Sequence, residues 1–170
     1  MEGIREVANL MAIAARTAPK AVGKDFMQVK IIEGDDIIKL GDAMIKFGDE
    51  AGRKGFDRDA RGVKSSDAVV LIGMKDAAPV GLNCGACGFN SCAELKAEEK
   101  REFKGPQCAF RVMDLGIAIG SAVKTASLFN VDNRIMYRAG TAARQAGFVD
   151  ADLVVGIPLS ATGKNIYFDR

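Results

Sequence analysis

Apolar and polar positions alternate along this chain in blocks that switch period several times. From Met1 to Arg16, Ile4, Val7, Ala8, Leu10, Met11 and Ala14 recur at helical spacing, which predicts an amphipathic helix. Pro19 and Gly23 break it, and Phe26 to Ile32 then reads as a strand. Asp35 or Asp36 is placed to cap a second helix. Its wide apolar stripe runs through Ile37, Ile38, Leu40, Ala43, Met44, Ile45 and Phe47, and Gly48 or Gly52 can end it. Asp49 to Ser66 is polar and mixed in charge and reads as a loop. Asp67 to Met74 is a continuous apolar run rich in β-branched residues, the mark of a buried strand.

The second half opens with a charged stretch, Cys92 to Phe103, that reads as a helix. Cys108 then starts the longest apolar segment, which reaches Phe129 and is apolar nearly all round. Such a helix is expected at the centre of a core or in an oligomer interface. Gly116 and Gly120, four residues apart, leave room for another helix, with tight core packing the expected use. A turn at Asn130–Asn133, a strand at Arg134–Arg138 and a short helix at Thr141–Ala146 follow. Leu153 to Leu159 is a strand interrupted by Pro158, so it is expected to lie at an edge or to end there. Helices and strands in this order predict an α+β fold, a sandwich around one sheet, as a single domain over residues 1–170 with an insert at 83–108.

Composition narrows the chemistry. The chain of 170 residues has 48% apolar residues and a net charge of +2, with acids and bases interspersed. That gives no case for nucleic acid or for an anionic membrane surface. No run reaches the length of a membrane span. There is no histidine, which removes His-based triads and His metal ligands. The first eleven residues carry charge throughout and lack an apolar signal core, so a cytoplasmic location with reduced thiols is expected. S-A-T-G-K-N near the end is not a phosphate-binding Walker loop, because the upstream glycine is missing.

All four cysteines, Cys84, Cys87, Cys92 and Cys108, fall in one window with the spacing C-x2-C-x4-C-x15-C. Four thiolates can hold one zinc, a [2Fe–2S] or a [4Fe–4S] cluster. Zinc sites usually show two separated pairs, whereas here three cysteines are bunched and one is remote, as in many iron–sulfur sites. Gly85 and Gly88 allow the tight turns that such a loop needs.

Cys84, Cys87, Gly88, Cys92 and Cys108 resemble the C-x2-C-G-x3-C motif with a remote fourth cysteine found in the small iron–sulfur domain of Rnf-type electron-transport complexes and corrinoid iron–sulfur proteins. That resemblance implies a [4Fe–4S] cluster; zinc is the alternative. A second resemblance covers most of the rest. A-R-T-A-P-K-A-V-G-K-D-F-M-Q-V-K-I-I is similar to the N-terminal flavin-binding segment of the nitroreductase family. Asp114, Gly116 and Ala118 resemble its central-helix motif, and Gly156 and Pro158 its last strand. This implies a nitroreductase-like α/β sandwich, a homodimer with FMN at the interface, and Arg16, Lys20 and Lys164 as candidates for the flavin phosphate. Together the two resemble the uncharacterised ferredoxin-domain proteins of anaerobic bacteria and archaea. The function these resemblances imply is a cytoplasmic iron–sulfur redox protein that carries electrons through a [4Fe–4S] cluster and, where FMN binds, a flavin-dependent oxidoreductase of the nitroreductase-like type, with an unspecified electron donor or acceptor. The alternative is a non-enzymatic scaffold braced by a four-Cys zinc site.

Overall fold

A computed structural model describes residues 2–168. The elements in chain order are α1 (Glu2–Thr17), a 3₁₀ turn at Ala21–Gly23, β1 (Met27–Ile32), α2 (Asp35–Ala51), α3 (Phe56–Lys64), β2 (Ala68–Met74), a second 3₁₀ turn at Cys92–Glu94, β3 (Glu98–Glu99), β4 (Lys104–Gly105), α4 (Ala109–Leu128), β5 (Asp132–Asn133), α5 (Tyr137–Gln145) and β6 (Leu153–Ser160).

The main sheet has the order β1-β2-β6-β5, with every neighbouring pair antiparallel. β2 is buried along its whole length and feeds two cores. Successive side chains of a strand point to opposite faces. Val70, Ile72 and Met74 therefore join Ile4, Val7 and Met11 of α1 and Leu115, Ala118 and Ala122 of α4 on one face. Val69 and Leu71 join Leu40 and Met44 of α2, Phe56 and Val63 of α3, and Ala139 and Ala142 of α5 on the other. The continuous apolar run of β2 is the signature of a strand covered on both sides.

Four local expectations are corrected. Residues 49–66 are not all loop, because α3 spans Phe56–Lys64 and buries Phe56, Ala60 and Val63 along one side. The many charges between those positions hide the stripe. Residues 92–103 form no helix. Apart from Leu95 and Phe103 the stretch offers little to bury, and it folds instead as a 3₁₀ turn and the β3–β4 hairpin. Arg134–Arg138 is not a strand: Met136 makes one antiparallel bridge to Gly156, and α5 starts at Tyr137, earlier than the residue pattern suggests. β6 is an inner strand, between β2 and β5. Gly156 exchanges both backbone hydrogen bonds with Met136, so by alternation the missing N–H of Pro158 falls on that same side. There the β5 ladder reaches only Leu159 and Ser160, and little pairing is lost.

The long helix α4 is not enclosed all round. Leu115, Ala118, Ala122 and Ala126 face the core, while Val112, Met113, Ile117 and Leu128 are exposed. A Cβ added at Gly116 or Gly120 would meet nothing within 4 Å, so these glycines do not serve close packing within the chain. Leu10 and Ile13 of α1 are exposed as well. Among the described residues, no helix is long and apolar enough to cross a membrane.

The stretch between β2 and α4 is tied down at both ends by one residue. The Asp152 carboxylate accepts the Asp76 N–H at 2.8 Å and lies 3.7 Å from the Lys104 ammonium. The Asp152 carbonyl accepts the Lys104 N–H at 2.9 Å, and its own N–H bonds the Met74 carbonyl at 2.7 Å. Further out, the Arg144 guanidinium grips both oxygens of Glu99 at 2.9 and 2.7 Å, and Arg101 donates to the Glu50 carbonyl at 3.1 Å. These bonds lay the hairpin across α2 and α5.

Candidate metal centre and the neighbouring cleft

The cysteines occupy three environments. Cys84 is exposed, Cys87 and Cys92 are half-buried, and Cys108 is buried. Gly85, between the first two, and Gly88, just after the second, take φ of +73° and +90°, and the Gly88 N–H closes on the Gly85 carbonyl at 2.9 Å. Only glycine adopts such angles without strain, which explains the residue type at both positions. Asn83 holds the third cysteine beside the first. Its side-chain oxygen accepts the Cys92 N–H at 2.8 Å, and its own N–H reaches the Cys92 sulfur at 3.4 Å.

Cys108 is the N-cap of α4. Burial pushes its thiol pKa up, but the N–H groups of Val80, Arg111 and Phe110 and the Arg111 charge outweigh burial and hold it below the ordinary value. The sulfur thus sits in a nest of amides where a thiolate is favoured. Among the described residues, no three Cys, Asp or Glu side chains are gathered as a metal site. The backbone pairs Cys92 with Asn83 and Cys108 with Val80 without closing a four-sulfur cage. The donor set suits an iron–sulfur cluster all the same: thiols on a glycine-rich loop, two of them already receiving backbone N–H bonds of the kind that tune such clusters.

One buried pair beside Cys108 escaped the sequence reading. Arg111 is 1% exposed and Asp114 is 4% exposed, and they meet at 3.0 Å. Arg111 also donates to the carbonyls of Ala78 at 2.9 Å and Ala21 at 3.0 Å, and lies 4.8 Å from the Phe26 ring centre. Asp114 accepts the Ala21 N–H at 2.8 Å. The signal was present: Arg111 and Asp114 are opposite charges at i and i+3 inside an otherwise apolar helix. Only Asp114 stood out, as part of a motif.

A shallow cleft of 260 Å³ opens next to this pair, lined by Pro19, Lys20, Ala21, Phe110, Met113, Asp114 and Ile117. Lys20 lines this cleft, and Arg16, like it expected to serve a flavin phosphate, joins it around Asp25 outside the lining. Lys20 directs its ammonium to the Ala15 and Arg16 carbonyls at 2.9 and 2.5 Å, and Arg16 bonds Asp25 and the Met27 carbonyl, each at 2.7 Å. Both cations are therefore already engaged. Lys164 lies elsewhere. It is exposed and follows the Ser160 end of β6, whereas Arg16 bonds Met27, whose ladder runs through Met74 to Leu153 at the opposite end. A larger cavity of 460 Å³ lies between α2, α5 and the hairpin, lined by Phe47, Glu50, Arg101 and Gln145 among others.

Comparison with known proteins adds three findings. A family profile described as "Uncharacterized protein containing a ferredoxin domain (DUF2148)" matches residues 104–170. An uncharacterized protein of Archaeoglobus fulgidus is 49% identical over 171 residues, covering 99% of this chain and 92% of its own length. Among solved structures, the FMN-dependent nitroreductase NfnB of Mycobacterium smegmatis, determined in complex with NADPH, superposes with a TM-score of 0.64 at 11% identity over 96% of this chain and 81% of its own. An oxidoreductase containing FMN superposes with a TM-score of 0.58 at 13% identity over 92% of this chain, which spans only 66% of that protein. At these identities the likeness establishes the fold, a nitroreductase-like α/β sandwich.

Proposed function

The chain belongs to the family of uncharacterized proteins containing a ferredoxin domain, and from that premise we propose that it is a redox protein in which Cys84, Cys87, Cys92 and Cys108 hold one [4Fe–4S] cluster. The observation that carries this reading is the set of backbone amides on the Cys108 and Cys92 sulfurs. Such a cluster supplies one-electron exchange. Cys108 anchors it on the rigid start of α4, and the Asn83 amide and side chain orient Cys92 against the first ligand. Four free thiols fit a reducing compartment, the cytoplasm.

The cleft extends the reading to a flavin. Pro19, Phe110, Met113 and Ile117 offer an apolar bed for a planar ring. Its 260 Å³ is below the roughly 300–1,000 Å³ of small-molecule sites. It opens beside Met113 and Ile117 on the exposed apolar side of α4, and a second copy of the chain seated there completes it. The function proposed is therefore electron transfer by a homodimer that carries an iron–sulfur centre and FMN, with the chain's own cations at Arg16 and Lys20 fixing the loop below the ring.

The test is an ultraviolet–visible spectrum of protein purified without oxygen, with iron, sulfide, zinc and flavin assayed on the same sample. A broad brown absorbance with about four irons per chain is expected. A Cys108→Ala variant is expected to lose most of its iron. A colourless protein with one zinc per chain would overturn the redox reading in favour of a zinc-braced scaffold.

A further inference from the structure

The cleft and the metal centre share the Arg111–Asp114 pair, and the way they share it is specific. Ala21, which lines the cleft, is held by both of its backbone groups: its N–H by Asp114 and its carbonyl by Arg111. The same guanidinium holds the Ala78 carbonyl through its Nε–H. Cys108 is the N-cap of the helix that carries Arg111, three residues ahead of it, and Ala78 lies two residues from Val80, whose backbone with that of Arg111 helps hold the Cys108 thiol pKa down. A buried ion pair is costly to keep unless its remaining hydrogen-bonding groups are satisfied. Here they are satisfied by two segments distant in sequence, the turn after α1 and the stretch leading to the cysteines. A guanidinium is rigid and planar, so displacing one of its acceptors displaces the other.

We propose that the Arg111–Asp114 pair couples the cleft to the metal centre, so that a flavin mononucleotide fixing Ala21 from the cleft side and a cluster bound at Cys108 stabilise one another. This rests on the function proposed above and adds its regulation. Arg111 and Asp114 act here as positioning residues: they act through Ala21, Ala78 and Val80. No bond is made or broken and no electron moves; the coupling is between two binding equilibria, and it is reciprocal. Cluster loading tightens the hold on FMN, and FMN slows loss of iron to a chelator by the same linkage.

The experiment is a titration of FMN, followed by quenching of its fluorescence, into cluster-loaded and cluster-free full-length chain under argon. Wild type is expected to bind FMN about fivefold or more tightly when loaded, the lower end of ordinary coupling. Arg111→Gln and Asp114→Asn are expected to reduce that ratio to about one, and Arg111→Lys, which keeps the charge without the fork, to leave an intermediate value. Equal affinity of the loaded and cluster-free wild type overturns the coupling. A ratio that survives in both variants overturns the role of the pair. Hydrogen exchange on the cluster-free chain without FMN tests the strut separately. Arg111→Gln is expected to speed exchange at Ala21 and across residues 77–82 together, and acceleration on one side alone overturns the proposal. A wild type that binds neither iron nor FMN marks failure of the underlying redox reading, and the exchange result still decides the strut.

Discussion

Three charged side chains at and just after the end of α1 show how charge is used on the loop that follows it. Lys20 caps the helix by donating to the Ala15 and Arg16 carbonyls, groups that a helix end leaves without partners. Burial lowers its pKa, with Asp25 pulling the other way. Burial also pushes Asp25 up, but the Arg16 hydrogen bond, the Met27 N–H and the charges of Lys20 and Arg16 outweigh it, and its carboxyl is held below 3.8. A carboxyl with a depressed folded pKa stabilises the protein above its unfolded value and loses that contribution as pH falls through the folded one. Replacing Asp25 by Asn is thus expected to destabilise the protein at pH 6, with the gap to wild type closing below pH 3.8, as read from urea midpoints across that range. Four cysteines in one window stand out in the sequence because the residue type is rare and clustered. The Arg16, Lys20 and Asp25 cluster was not legible, because which carbonyl or carboxylate meets a long cation depends on where the loop after Pro19 turns.

Among the elements, α5 and β6 make the tightest contact. A Cβ built on Gly140 would lie 2.1 Å from the Val154 carbonyl oxygen and 2.6 Å from the Val155 Cα, both backbone atoms that cannot step aside. Gly156 faces the same seam, where its Cβ would meet the Ala139 side chain at 2.7 Å. Gly140→Ala is expected to cost about 3 kcal/mol, the upper end of ordinary overpacking, measured by urea unfolding. A value near zero would mean that α5 does not seat on β6 in this way. The same glycine explains a misreading. Gly lowers helix propensity, so the pattern pointed to a strand before it and a short helix after it. The helix runs through Gly140 because close approach to β6 outweighs propensity. The helices α1, α2 and α4 were legible because each buries a recurring stripe, β1 through its partial alternation, and β2 and β6 because they are apolar along nearly their whole length. The β3–β4 hairpin was not, since its hold comes from Arg144, the Glu50 carbonyl and Asp152, partners distant in sequence.

The molecule as a whole presents an uncovered apolar side. Val112, Met113, Ile117 and Leu128 of α4 and Leu10 and Ile13 of α1 are exposed together with Phe129, and exposed apolar patches of this kind mark interaction surfaces. The proposed homodimer buries that side. Ile117→Glu sets a charge in the middle of it without touching either core, and is expected to convert a dimer into a monomer by light scattering, with an unchanged far-ultraviolet dichroism spectrum. A monomeric wild type at micromolar concentration would overturn the proposed dimer. The residue pattern placed α4 either within the core or at such an interface, and the fold buries one side of it and leaves the other exposed.

Asp152 bears on how a chain like this can be assembled. The backbone leaves the sheet at Asp76 and returns at Lys104, and both ends answer to one carboxylate. A segment whose two ends are neighbours closes a loop whose entropic cost grows only slowly with its length. Closing the cysteine-bearing stretch therefore costs the sheet little for its length, and what the stretch adds in hold comes from a few bonds outside the strands, Arg144 to Glu99 and Arg101 to the Glu50 carbonyl.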